Sequence, residues 1–111
     1  AVNLPGCPYL SYRITQVYPT GVCIYFTMGL YMKGVEDIPT VFGKIYTALR
    51  QVIVDCGGSV SHHHGVGKMR QRFVKQLTAP ANLEMLKTLK KTSDPSYVFG
   101  IGNTVFGPDE G

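Results

Sequence analysis

Three adjacent imidazoles, His62, His63 and His64, stand inside "GGSVSHHHGVGKMR" in a chain of 111 residues. An imidazole titrates near ~6.5, so a small change of surroundings makes it a proton donor or acceptor at neutral pH. Gly65 and Gly67 follow and permit tight turns and close approach of a ligand to the backbone. Lys68 and Arg70 come next, beside the first amides of an expected helix, which suits a loose anion site; the alternative is a solvated basic face. The stretch is not a nucleotide-binding P-loop. That pattern needs a glycine five positions before Gly67 and a hydroxyl after Lys68, where this chain has His62 and Met69. A metal centre is a weaker reading: on an extended segment His62 and His64 share one face while His63 points away, and no carboxylate or i,i+4 histidine pair accompanies them. Two readings stay open on the residues alone, loop histidines satisfied by backbone and water, and an acid–base centre where a strand gives way to a loop.

The elements that position these residues follow from periodicity. "YLSYRITQVY" (9–18) and "GVCIYFTMGLYM" (21–32) are rich in aromatic and β-branched residues and flank the turn signal Pro19-Thr20-Gly21, which predicts two antiparallel strands. On the second strand Cys23, Tyr25, Thr27 and Gly29 share one face, and Ile24, Phe26, Met28 and Leu30 form an apolar face. Asp37 can cap a helix with Pro39 in its first turn, and Val41, Phe42, Ile45, Leu49, Val52 and Ile53 recur at helical spacing until Gly57-Gly58. Residues 59–61 are expected to form a short strand with the histidines at its end. A basic helix over 68–77 and a third helix from Pro80, carrying Leu83, Leu86 and Leu89 and ending before Asp94-Pro95, complete the order, leaving an irregular tail. The fold class is α+β, an antiparallel sheet with helices on one face.

The net charge of +4, from eleven basic and seven acidic residues, fits an anionic ligand better than nucleic acid. Cys7, Cys23 and Cys56 are odd in number and widely spaced, which argues against a disulfide framework or a thiolate zinc site and for a reducing compartment. The most apolar stretch, about a dozen residues, falls short of the ~20 that span a bilayer. The chain begins Ala-Val-Asn and ends soon after an apolar segment, so it is expected to be cut from a longer polypeptide.

With "RITQVYPTGVCIYF" before it and "DPSYVFGIGN" after it, the histidine block is similar, collinearly over residues 11–103, to the C-terminal portion of the ether-lipid-forming branch of the vanillyl-alcohol-oxidase type of FAD flavoproteins. The resemblance implies that residues 1–95 are part of a substrate-side cap domain of an FAD-linked oxidase-type fold and 96–111 a C-terminal segment. The FAD-binding domain is absent from this chain. It implies an alkyl transferase with FAD as cofactor and no net redox, which exchanges the acyl group of acyl-dihydroxyacetone phosphate for a long-chain fatty alcohol. The cofactor then carries the hard chemistry, and the protein supplies positioning and proton transfer. Carried over onto this sequence, Tyr25 in "CIYF" and His62, His63 and His64 are the catalytic residues. Arg13 and Lys68 fall on the substrate side, and His64 and Asn103 on the cofactor side. A phenol ordinarily holds its proton at neutral pH, so Tyr25 as a base needs a hydrogen-bonding or charged neighbour, and a histidine is a suitable one. The tail departs from the family pattern at Ile101, Gly102 and Thr104, where relatives commonly carry an Arg and a second Asn. A peroxisome or glycosome is the implied location, with a homodimer and contact with a membrane surface compatible with lipid substrates. The isolated segment is expected to be inactive.

Two alternatives accompany this reading. One is the cap domain of an FAD-linked hydroxy-acid oxidase or dehydrogenase, which moves electrons instead of exchanging substituents. The other, of a different class, is a basic α+β nucleic-acid-binding module in which Tyr9, Tyr12, Tyr25 and Tyr31 stack bases, although their spacing has no RNP-like pattern.

Overall fold

Aromatic and β-branched runs on either side of Pro19-Thr20 close a hairpin. In a computed structural model, which describes residues 4–106, β1 (Tyr9–Tyr18) and β2 (Gly21–Gly29) pair antiparallel from Tyr18↔Gly21 out to Tyr9↔Gly29. The second strand was expected to run to Met32 but stops at Gly29. Gly29 faces the first residue of β1, so residues 30–32 have no strand backbone to pair with. The register shifts between Ile14 and Gln16, a bulge at Thr15, whose hydroxyl donates to the Cys23 carbonyl at 3.3 Å. The shift keeps the two faces chemically distinct. Arg13 and Gln16 lie opposite Tyr25 and Cys23, while Ile14 and Val17 lie opposite Ile24 and Val22. Of the expected apolar face Ile24 and Phe26 stay exposed, since a two-stranded ribbon has no layer of its own to cover it, while Met28 is half-buried and Leu30 lies beyond the strand.

Helix α1 (Ile38–Asp55) starts where Asp37 predicts. The Asp37 carboxylate accepts the Thr40 N–H at 3.4 Å and its carbonyl accepts the Val41 N–H at 3.1 Å. The helix ends in a Schellman closure. The Gly58 N–H reaches the Ile53 carbonyl and the Gly57 N–H the Val54 carbonyl, both at 2.8 Å, with Gly57 left-handed at φ +78°. Its periodic apolar face is less buried than the spacing suggests: Phe42, Leu49 and Val52 are exposed. Among the described residues the buried ones are Val60, Phe73 and Asp94.

Residues 59–61 form no strand. The Ser59 hydroxyl takes the Ser61 N–H at 3.4 Å and donates to the Ser61 carbonyl at 2.9 Å, a local closure that competes with extended pairing. The basic helix is also shorter than expected. Gly67 is left-handed at φ +55°, residues 67–70 form a turn, and α2 covers only Gln71–Leu77, so Lys68 precedes the helix and does not belong to its first turn. Helix α3 (Pro80–Ser93) begins and ends as predicted, with Pro80 in its first turn. The tail is irregular apart from a short 3₁₀ turn, Thr104–Phe106. The class is α+β, three helices and a two-stranded antiparallel sheet. Contacts divide the chain within α1, after Ala48, into a hairpin unit and a second unit that holds the histidines, α2, α3 and the tail.

Candidate functional site

In the second unit the loop from Gly58 to Arg70 is shaped by side chains that reach its backbone. The Arg50 guanidinium donates to the carbonyl of buried Val60 at 2.7 Å and fixes where the loop leaves α1. Farther on, the Gly65 carbonyl accepts both the Ser61 hydroxyl, at 3.0 Å, and the Arg70 guanidinium. These two bonds close residues 61–70 on themselves, and Gly65, left-handed at φ +73°, makes the turn that allows it.

The histidines therefore sit on a bend, and the alternation expected of an extended segment does not hold. His63 stands between its neighbours. Its ring centroid is 5.1 Å from that of His62, edge-on at 87°, and 4.1 Å from that of His64. The Nδ1 atoms of His62 and His63 are 2.9 Å apart, a hydrogen bond that requires one ring to donate and the other to accept. Partial loss of surrounding water, then the neighbouring His64 and His62, hold the His63 pKa below the usual imidazole range. All three are exposed at the surface of the unit. Among the described residues no group of three His, Cys, Asp or Glu side chains is arranged to hold a metal ion.

The tail closes on the same loop. The Thr104 N–H donates to the Gly67 carbonyl at 3.2 Å, and the open face of Gly102 lies against the Lys68 side chain. Lys68 and Asn103, assigned on sequence to substrate and cofactor, are thus on neighbouring segments, with the histidines just upstream of Lys68. Asn103 itself is exposed and its N–H closes a turn on the Gly100 carbonyl at 2.9 Å.

Tyr25 and Arg13 belong to the hairpin unit, where they are direct cross-strand partners. The Arg13 guanidinium carbon lies 5.6 Å from the centre of the Tyr25 ring, and Tyr25 is half-buried. This pairing gives the phenol a cationic neighbour on its own sheet face, a relationship that the bulge at Thr15 preserves. Sequence reasoning missed Arg50, Arg70, Lys90 and Asp94 as supports of the loop and the tail. The available signal was the spacing of Lys90 and Asp94, four apart at a helix end; Asp94 beside Pro95 reads first as a helix stop.

Residues 10–103 match the family model of the C-terminal domain of FAD-linked oxidases. This chain belongs to that family. It is 40% identical over 93 residues, 84% of its own length and 16% of the relative's, to an alkyldihydroxyacetonephosphate synthase of Caenorhabditis elegans. It is 28% identical over 94 residues to the protein of the same name from Dictyostelium discoideum, covering 84% of this chain and 15% of that protein. An FAD-linked oxidoreductase of Escherichia coli, uncharacterised by name, is 30% identical over 88 residues, 77% of this chain and 18% of that protein. The chain spans about one sixth of the length of the relatives it matches. FAD is the family's cofactor. The second unit carries donors of the kind that the polar edge of a flavin takes, the Asn103 amide, the Lys68 ammonium and the exposed imidazoles.

Proposed function

We propose that the polypeptide carrying this segment is an FAD-dependent alkyl transferase of ether-lipid synthesis, an alkylglycerone-phosphate synthase. It replaces the acyl group of acyl-dihydroxyacetone phosphate with a long-chain fatty alcohol and releases the fatty acid, without net oxidation. The observation that carries this reading is the 40% identity to the C. elegans synthase. A 93-residue match leaves at most 18 of the 111 residues outside it, so it takes in Tyr25 and all three histidines.

The chemistry asks for a proton to leave the carbon next to the substrate carbonyl and to return, which is general acid–base work. Bound FAD would supply an electron-accepting ring system to this chemistry. Tyr25, with the Arg13 cation over its ring, serves as the proton carrier on the hairpin side. His63, its pKa lowered by partial loss of water and then by His64 and His62, is neutral and accepts a proton, and its Nδ1 is bonded to that of His62. Lys68 meets the phosphate as a cation. His64 and Asn103 contact the cofactor. A peroxisomal or glycosomal location belongs to the same reading.

The test uses the full-length protein with acyl-dihydroxyacetone phosphate and a labelled hexadecanol. Labelled alkyl-dihydroxyacetone phosphate and free fatty acid in equal amounts, with the flavin absorbance unchanged, support the exchange. Bleaching of the flavin by a hydroxy acid, with no alkyl product, supports the oxidase instead.

A further inference from the structure

We propose that Lys90 and Asp94 are positioning residues for the histidine loop, acting through the C-terminal tail. The tail holds its shape by polar contacts and not by burial. Four of its residues are left-handed, Tyr97 at φ +50°, Gly100 at +57°, Gly102 at +71° and Thr104 at +54°, and two of these carry a side chain that disfavours the conformation. Its apolar residues Val98, Phe99 and Ile101 are exposed, so they contribute little to fixing it.

What fixes it is one carboxylate and one ammonium. The Asp94 Oδ1 accepts the Val98 N–H at 2.9 Å and Oδ2 accepts the Phe99 N–H at 3.0 Å. Lys90 Nζ donates to Asp94 and, at 2.7 Å, to the Phe99 carbonyl. The same ammonium lies 5.6 Å from the Tyr97 ring centre and 5.9 Å from that of Phe106, so it touches both ends of the tail. The two side chains are about nine-tenths buried, 11% exposed for Lys90 and 9% for Asp94, where a charged pair is held firmly. Between Tyr97 and Phe106 the tail meets the loop that follows the histidines, through Thr104 N–H to the Gly67 carbonyl and through Gly102 against Lys68. Releasing the pair frees the tail, and a free tail withdraws its bond from Gly67, next to Lys68 and three residues beyond His64.

Amide exchange of the full-length protein, with Asp94→Asn, Lys90→Met and Lys90→Arg, decides the matter. A carboxamide in place of the Asp94 carboxylate cannot accept on both sides, since its NH₂ would face an N–H or the ammonium. Lys90→Met keeps the aliphatic packing but removes the donor. Both are expected to speed exchange about ten-fold or more in peptides covering 97–106 and also 62–70, with peptides of α1 unchanged as evidence of folding. Lys90→Arg should restore protection. Lys91→Met, which removes an equal charge from an exposed position on the same helix, should change neither peptide. If Asp94→Asn also loosens α1, Lys90→Met decides. Loosening of 97–106 with 62–70 at the wild-type rate overturns the proposal.

Turnover provides a second arm, which rests on the exchange reaction proposed above: a loss of roughly ten- to a hundred-fold in kcat at retained flavin content is expected. Native turnover alongside lost protection in both peptides overturns the positioning role. A wild-type protein that makes no alkyl product refutes the proposed reaction, and the amide arm alone then decides the positioning.

Discussion

Truncating Phe73 to alanine tests what anchors the histidine loop. Phe73 is the fully buried large side chain of the described residues, at 0% exposure, and it lies on α2 one turn after Arg70. Its N–H and that of Val74 bond the Arg70 carbonyl at 3.0 and 3.3 Å, and Arg70 in turn holds the Gly65 carbonyl. Burial of an aromatic side chain removes about 150 Å² or more from water, worth roughly 4 kcal/mol at ~25 cal/mol per Å². Measured Phe→Ala changes in cores, about 3 to 5 kcal/mol, agree. Leu49→Ala provides the contrast. Leu49 is on the periodic face of α1 but 40% exposed, so about 1 to 2 kcal/mol is expected there. The assay is amide exchange against denaturant in the full-length protein, read in peptides covering Gln71–Leu77 and 62–70, because a multidomain chain need not unfold in one step. Phe73→Ala should lower the local stability of both peptides by the larger figure. Equal losses for the two variants, or less than about 1 kcal/mol for Phe73→Ala, would refute the assignment of Phe73 as the anchor.

Gly58→Ala places a Cβ 2.7 Å from the Ile53 γ-methyl and 3.0 Å from its carbonyl, so the helix end must shift at a cost of about 1 to 3 kcal/mol, read as faster exchange at the end of α1. Gly57→Ala meets no neighbour but is left-handed, and should cost about 1 kcal/mol. The Asp94 pKa is lowered chiefly by the Lys90 hydrogen bond, helped by the Val98 and Phe99 amides, against partial burial. A carboxylate lowered on folding contributes stability that is present above its unfolded pKa and lost as pH falls through the folded value. Exchange in 97–106 should therefore be slow at neutral pH, after correction for intrinsic rates, and speed up only below the ordinary carboxylate range. Folding lowers the His63 pKa, so its neutral form is the one favoured in the folded loop, and stability is lost as pH drops from the ordinary imidazole range through the lowered value. NMR titration of labelled histidine should show the His63 ring protonating below the ordinary imidazole range, and a His63 signal that titrates within that range would contradict the crowding of the three rings.

The hairpin, the start and end of α1 and the whole of α3 were legible because each is a local matter. Pro19-Thr20, Asp37, Gly57-Gly58, Pro80 and Asp94-Pro95 dictate turns and caps within a few residues. What the residues alone could not give depends on partners far along the chain. Leu49 and Val52 repeat at core spacing, yet whether that face is covered is decided by other segments. The strand expected at 59–61 fails because Ser59 closes on Ser61 first, and α2 starts late because Gly67 turns left-handed. The histidines were legible as chemistry, but their contact with one another required the bend pinned by Ser61 and Arg70 on one carbonyl. Arg13 and Tyr25 were carried over by resemblance as separate positions, with a histidine expected beside Tyr25, and the strand register is what makes Arg13 its cross-strand partner.

Turnover of the full-length protein in D₂O, with the alkyl product analysed by mass spectrometry, tests the acid–base assignment most directly. Wild type should place deuterium on the carbon next to the carbonyl, and Tyr25→Phe and His63→Ala should each slow both incorporation and product formation by roughly 10² to 10⁴-fold with flavin content unchanged. Alkyl product without deuterium in wild type, or near-native turnover in Tyr25→Phe, would contradict it.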